Sequence, residues 1–518
     1  MHQAEDARAR WLSSPWLIVV VLVAVYAPSL AGDWIAYDDD WLVRDNPLLN
    51  RADPDVLWAI VAGLDRDTRL VLGAEYLPVR DLVTWLARGW LGLDALGFRV
   101  LCLGFYAGAC ALLLRWARTL GRDGFVHATW LFALHPVHAE SVAWIAGLKD
   151  VLALAFLAGA LALHGERSPL RRGGVLVCVF LACGAKGVAV VAPALLAVAD
   201  LLRGRPQDRP LLLASTVVCA AWAALHAWIG GVVGMFAEPL GGGVIERVAS
   251  VAVLLLRYVG LSCLASRESV VYEVGPHGLD LAAIGALSVW VGLVGASVWA
   301  WRRGQRWPAA LLLWFLASLG PVSQLLAPLQ NRMADRYLLT AVWAPCAALG
   351  LGLESALAST KPAWRRVVLG ACGAALGVLS AGRGLLFTDP VALYTEATER
   401  TETDARAPLL LADELFLRQR YAEAEDVYRV TLARDQLRTD RSARAGNGLA
   451  RLLAASSRED EAIALYEQLV ARYPEDPRLL HNLAILEQRQ GRLEEARRHR
   501  EELATRFPDY RPSSPTEH

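Results

Sequence analysis

Asp38, Asp39 and Asp40 stand directly beyond an apolar run from Trp16 to Leu30, so three carboxylates meet the edge of a segment suited to lipid. Such a triplet serves either as a catalytic carboxylate facing a lipid-linked substrate or as the solvated start of a loop. His135-Pro-Val-His-Ala-Glu140 forms a second polar cluster. Histidines at i and i+3 beside a carboxylate could bind zinc, but the spacing is not HExxH and Pro136 marks a helix end. Packing at that helix end, or contact of His135, His138 and Glu140 with substrate or lipid phosphate, are the competing uses. Lys186 lies alone between two apolar runs, where its charge must snorkel to water or meet an anion such as a lipid phosphate. In Asn331-Arg-Met-Ala-Asp-Arg-Tyr337 the forked guanidiniums of Arg332 and Arg336 suit phosphate oxygens, and a local Asp335–Arg336 pair at a span entrance is the simpler alternative. Gly147-Leu-Lys-Asp150 places a charge pair at the start of a span, with Asp150 favoured by a positive helix N-terminus.

The elements that must position these residues are membrane helices. The chain has 518 residues and is 55% hydrophobic, with a mean hydropathy of +0.34. That excludes an ordinary soluble enzyme and a single domain. Apolar runs able to cross about 30 Å of hydrocarbon, which takes about 20 residues, lie near 14–31, 98–117, 125–145, 150–164, 173–186, 187–202, 211–232, 279–301, 308–327, 336–357 and 365–387. The expected fold is therefore all-α: a polytopic bundle of about eleven transmembrane helices over residues 1–392. The eight cysteines sit mostly in apolar segments without CxxC or CxxH spacing, and imply neither disulfides nor zinc.

Arginine placement threads the chain. Arg8 and Arg10 precede the first run, which reads as a retained signal anchor with a cytoplasmic N-terminus. The clusters Arg115/Arg118/Arg122, Arg167/Arg171/Arg172, Arg203/Arg205/Arg209, Arg302/Arg303/Arg306 and Lys361/Arg365/Arg366 then fall in alternate, cytoplasmic loops. Parity requires Val248 to Leu264 to return to the side it left, as a re-entrant or surface-lying helix, and Arg257 in its middle makes a lipid-facing span less attractive. Under this threading every polar motif above shares the outer face with the long loop 32–97, whose amphipathic pieces carry Trp58, Trp85 and Trp90 and suit interfacial helices.

Beyond residue 400 about a third of positions are charged, so this part is water-soluble. Leu411-Ala412, Leu449-Ala450 and Leu483-Ala484 begin a repeat, followed by Ala424, Ala462 and Ala496, then by Tyr428, Tyr466 and Arg500. Pro474 and Pro508 close the last two units at the tetratricopeptide period of about 34 residues. Four residues are inserted between the first and second units, in the turn Asp435 to Ser442. About three repeats are expected over 393–510, ahead of a disordered tail at 511–518. Such a stack holds a partner and carries no chemistry of its own.

In their order along the chain, Tyr37-Asp-Asp, Tyr76-Leu-Pro-Val-Arg80, HPVHAESVAW, GLKDVLA, AKGVAVVAP, ADRYLLT and the terminal repeats resemble the transmembrane and tetratricopeptide-repeat (TMTC) family and its bacterial relatives. These are GT-C membrane glycosyltransferases similar to protein O-mannosyltransferases. The repeat array here is shorter than in the animal members, and the arginine-rich composition points to a bacterial chain. The resemblance implies a polyprenyl-phosphate-linked sugar, such as mannose, as donor, and an acceptor hydroxyl, a protein Ser or Thr, approaching from the periplasmic side of an inner membrane. It implies no cofactor and no metal. An acceptor hydroxyl needs a base, and the family's first-loop aspartates match Asp38 and Asp39, between which the sequence does not choose; Asp40 is a bystander. Lys186, Arg332 and Arg336 would stabilise the departing phosphate, and His138 and Glu140 would position substrate. A non-catalytic membrane-anchored repeat scaffold and a lipid-linked glycan ligase are the alternatives.

Overall fold

Proline and short capping side chains decide where the helices of this chain begin. The computed structural model describes residues 14–36, 38–263, 268–435, 440–508 and 510. Arg8, Arg10, Tyr37, part of the insertion at 435–442 and the tail 511–518 lie outside the described residues or only partly within them. The described residues contain no strand, only an isolated antiparallel bridge between Phe236 and Leu329. The chain divides into two units between Asp389 and Pro390.

The first unit opens with α1 (Pro15–Tyr26), continued by a tight 3₁₀ turn through Ala31. The long loop that follows carries a π turn at Asp40–Arg44, then α2 (Asp55–Ala62), α3 (Arg66–Val71) and α4 (Pro78–Leu91). After α5 (Ala95–Arg118) and α6 (Asp123–Ala133) come the short α7 (Ala139–Ala143), α8 (Leu148–Leu163), α9 (Pro169–Ala185), α10 (Ala192–Leu202) and α11 (Arg209–Val233). The unit is completed by α12 (Val244–Cys263), α13 (Leu281–Arg302), α14 (Trp307–Leu319), α15 (Trp343–Ala356) and α16 (Pro362–Leu386). Proline occupies the first or second position of α1, α4, α9, α11, α14 and α16, where its missing N–H costs nothing. Asp94 caps α5 by accepting from the Leu96 and Gly97 amides, and Gly92 ends α4 at φ +67°.

Among the described residues five helices are long and apolar enough to cross a membrane: Ala95–Arg118, Ile145–Leu163, Arg209–Val233, Leu281–Arg302 and Pro362–Leu386. Shorter apolar stretches run over Pro15–Ala31, Gly187–Leu202 and Trp307–Val322. By length and composition alone these helices establish five candidates and leave the expected eleven crossings unconfirmed, and one of the expected runs is broken. The run 125–145 is split at Pro136, which cannot continue α6 and starts a 3₁₀ turn instead. Lys186 and the following 3₁₀ turn separate α9 from α10 at the boundary between the runs 173–186 and 187–202. The stretch expected as a re-entrant or surface-lying helix is one continuous helix, α12, with Arg257 bonded to the Glu273 carbonyl at 2.8 Å.

Small residues let α6 and α15 touch. A Cβ on Gly350 would lie 2.2 Å from the Gly124 carbonyl oxygen, so only glycine fits this crossing. Beside it the fully buried rings of Trp116, Trp314 and Trp343 pack with centroids 4.8 to 5.6 Å apart, joining α5, α14 and α15. All eight cysteines are unbridged.

The second unit starts with α17 (Pro390–Glu399) and then forms three antiparallel pairs: α18 (Arg406–Leu417) with α19 (Tyr421–Asp435), α20 (Asp440–Ala455) with α21 (Glu459–Arg472), and α22 (Pro477–Arg489) with α23 (Leu493–Arg506). The repeated alanines Ala412, Ala450, Ala484, Ala424, Ala462 and Ala496 are all buried where the helices meet. Tyr428 fills the groove toward the next pair so closely that a Cβ on Gly448 would fall 2.5 Å from its ring. Arg500 takes the tyrosine's place in the last pair, is exposed, and bonds Gln488.

Candidate functional site

Asp39 and Arg99 fix the start of the long loop. Arg99, on α5 and 1% exposed, donates to four carbonyls: Ser29 at 3.1 Å, Ala143 at 2.5 Å, Asp33 at 2.6 Å and Phe387 at 2.9 Å. One buried cation thus joins the end of α1, the loop, the end of α7 and the end of α16. Gly32 permits the approach, since a Cβ there would lie 2.7 Å from the guanidinium. Asp39 is fully buried, and its two oxygens accept from the Ile35 amide at 3.0 Å and the Ala146 amide at 2.8 Å. Burial pushes this carboxyl up to about 7, against the two amides and the Arg99 charge. Both its oxygens are occupied and the residue is closed off from solvent. Asp38, its neighbour, is half-buried and its charge acts on Arg336. Asp40 faces the other way, toward Arg44 at 2.9 Å.

Arg336 belongs to a cluster drawn from separate segments. Glu140, on α7 and 1% exposed, accepts from both the Arg336 backbone amide, at 2.9 Å, and its guanidinium. The Arg336 guanidinium also lies over the rings of Trp144 and Tyr337, at 5.8 and 5.5 Å. Lys186, at the turn between α9 and α10, donates to Asp150 at 2.5 Å. Lys149, in the same first turn of α8, donates to Glu75 of the long loop at 2.7 Å. Burial works to raise the Glu75 carboxyl, yet the Lys149, Lys186 and Arg80 cations together hold it down at about 2. Glu75, Glu140 and Asp150 all act on Tyr337, and Lys149 and Arg336 both act on Lys186, so these ion pairs form one electrostatic group. Three carboxylates hold three cations, with Asp38 at the edge.

The predicted residues divide between this group and its supports. Asp38, Glu140, Lys186 and Arg336 lie in it. His135 does not: its Nδ1 accepts from the Val137 amide at 3.2 Å and its Nε2 donates to the Ser262 carbonyl at 3.2 Å, so it caps the turn and ties down α12. His138 is fully buried against the rings of Phe132 and Tyr106, at 4.5 and 5.5 Å. Arg332 donates to the Val274 carbonyl at 3.0 Å and holds the segment that follows α12. Asp335 accepts from the Tyr272 hydroxyl rather than pairing with Arg336, and burial raises its carboxyl well above the usual range. Sequence reasoning missed Glu75, Lys149 and Tyr337 as members of the group. Glu75 stood beside Tyr76-Leu-Pro, and Lys149 and Tyr337 lay inside Gly147–Asp150 and Asn331–Tyr337, but a salt bridge spanning 74 residues leaves no local spacing to read. No group of three or more His, Cys, Asp or Glu side chains that could hold a metal ion occurs among the described residues.

Comparison with known proteins agrees with part of this picture. Residues 453–512 match the tetratricopeptide repeat family. A Caenorhabditis elegans protein named as a protein O-mannosyl-transferase is 26% identical over 186 residues, covering 34% of this chain and 26% of that protein. The chain thus spans about a quarter of the length of that relative. No solved structure matches the chain.

Proposed function

We propose that this protein is an integral-membrane glycosyltransferase that moves a sugar, with mannose the first candidate, from a polyprenyl-phosphate donor to a Ser or Thr hydroxyl of a protein held by its repeats. The reading rests on one observation: the long loop, α7, α8, the α9–α10 turn and the turn before α15 each contribute a charged side chain to a single partly buried group. Lys186 has three N–H donors and Arg336 five, so their ion pairs with Asp150 and Glu140 leave donors for phosphate oxygens.

In the proposed reaction Asp38 takes the proton of the acceptor hydroxyl while that oxygen attacks the anomeric carbon. The bond from that carbon to the phosphate oxygen breaks with inversion, and polyprenyl phosphate leaves with the charge that Lys186 and Arg336 stabilise. Asp38 is assigned the base because it alone of the first two aspartates is half-exposed; Asp39 has both oxygens engaged and serves to position the loop. The apolar helices and the arginine threading favour a bacterial inner membrane, with this group and the repeats on the periplasmic side.

The test is transfer of labelled sugar from polyprenyl-phosphate mannose to a Ser/Thr peptide by the reconstituted protein. Loss of transfer in Asp38→Asn, with folding intact, is expected. Undiminished transfer would remove Asp38 as the base, and failure of the wild-type protein with peptide and glycan acceptors alike would overturn the function.

A further inference from the structure

Two arginines converge at the end of α8 far from Lys149 and Asp150. Gly165, just beyond that helix, has φ +125°, a backbone conformation that favours glycine. A Cβ on Gly165 would stand 3.4 Å from Arg205 Nη1 and 3.5 Å from Cζ and Nη1 of Arg203, and no atom beyond the adjoining residues lies closer to that point. The point is therefore open, and two guanidiniums border it. Uncharged acceptors hold them there: Arg203 Nε and Nη2 donate to Thr119 Oγ1 at 3.2 and 3.1 Å, and Arg205 Nη1 donates to the Gly165 carbonyl at 3.0 Å. Arg203 Nη1 itself is buried and has no hydrogen-bond partner.

The carboxylates of the two loops are engaged elsewhere. Asp200, whose charge acts on Arg203, meets His164 Nε2 at 2.9 Å with one oxygen and accepts from the Asp208 amide at 3.1 Å with the other. Asp208 holds Arg172 through two bonds of 2.9 Å, and Glu166 pairs with Arg171 at 2.9 Å. Arg167 donates to the Pro206 carbonyl at 2.6 Å. Residues 164–172 and 200–209 thus carry six arginines against three carboxylates. A cation at the C-terminal end of α10 offsets the helix dipole, and basic loops suit the cytoplasmic side of a membrane. Neither effect requires two guanidiniums to border one open point, or a buried N–H to lack an acceptor. Like charges so placed repel, and an anion between them removes the repulsion. Phosphate oxygens fit the forked guanidinium donors.

We propose that Arg203 and Arg205 bind a phosphate group at Gly165, carried by an anionic phospholipid headgroup or free in solution. The site lies one helix length from Lys149 and is independent of sugar transfer. The full-length protein in neutral detergent is melted, with tryptophan fluorescence as the signal, against rising dihexanoyl phosphatidic acid, dihexanoyl phosphatidylcholine, sodium phosphate, and sodium chloride at matched ionic strength. A saturable rise in melting temperature is expected with phosphatidic acid or phosphate, and none with phosphatidylcholine or chloride. A rise with phosphatidic acid alone assigns the lipid as the source; a rise with both at similar concentrations assigns the free anion. The half-saturating concentration should increase about tenfold or more in R203Q/R205Q, and no more than about twofold in R302Q/R303Q, which removes two arginines from the exposed end of α13. R205Q alone keeps the Arg203–Thr119 bonds and should raise it about threefold or more, so the site can be tested even where the double variant does not fold. No rise with either phosphate compound, an unchanged response in folded R205Q, or an equal loss in R302Q/R303Q would overturn the proposal.

Discussion

The Asp39 carboxylate accepts a hydrogen bond of 2.8 Å from the amide of Ala146, 107 residues further along the chain. With its second oxygen on Ile35, it closes the long loop onto the turn that opens α8, the helix whose first turn carries Lys149 and Asp150. The position of the loop and the position of two charged side chains of the site are therefore set by one buried group.

Adjacent aspartates should for that reason fail differently. Asp38→Asn is expected to keep the melting temperature of the wild type and lower turnover by about a hundredfold or more. Asp39→Asn replaces an acceptor with an N–H that faces other N–H groups, so the melting temperature itself should fall. Thermal scanning beside the transfer assay separates the two.

Arg99→Met removes the donor to four carbonyls, three of them in buried bonds, and should destabilise the first unit by at least about 3 kcal/mol, since each orphaned buried group costs about 1 to 3 kcal/mol. Arg99→Lys restores the charge but not the forked geometry and should recover little of the loss. Intrinsic tryptophan fluorescence during unfolding in detergent measures both.

Acid should loosen the Glu75–Lys149 pair within a defined window. The Glu75 carboxyl is held at about 2 in the fold, below its ordinary 4.5, so it contributes stability that is fully present above about pH 4.5 and lost as pH falls toward 2. Asp39 has the opposite sign. Its carboxyl is raised from 3.8 to about 7, so the folded chain holds the proton more tightly, and this group's contribution declines as pH rises from about 4 to about 7. Melting temperatures of Glu75→Gln and of Asp39→Asn across pH 3 to 8 should each lose the corresponding slope.

Gly350→Ala drives a methyl group into the Gly124 carbonyl and should cost about 1 to 3 kcal/mol by separating α6 from α15. Gly352→Ala, two residues away with nothing within 4 Å of its added Cβ, is the matched control and should be neutral or slightly stabilising.

The repeat unit was legible because its signal is local and periodic: alanines at fixed offsets are buried wherever two helices meet. The membrane unit was legible as helices but not in their lengths. Hydropathy averaged over 125–145 conceals Pro136, which ends α6 and starts a turn that places Glu140 against Arg336. Lys186 could be singled out because a lone charge in an apolar run demands a partner, and Arg336 because its forked guanidinium suits an anion, yet the identity of each partner, Asp150 and Glu140, depends on which distant segments fold together. The roles of Asp38 and Asp39 could not be separated from sequence, since neighbouring side chains of one type differ only in what the fold brings to each. His135 and His138 showed the reverse difficulty. Both look chemical by type, but the fold employs them as a cap and as a buried ring.

Arg500 sets the character of the last pair's outer surface. A fourth pair would have to dock where the tyrosine of each earlier pair meets its neighbour, and would there confront an exposed guanidinium already bonded to Gln488. Packing an apolar helix face against it would bury that charge, so the groove that Tyr428 and Tyr466 close with a ring in the earlier pairs stays polar in the last.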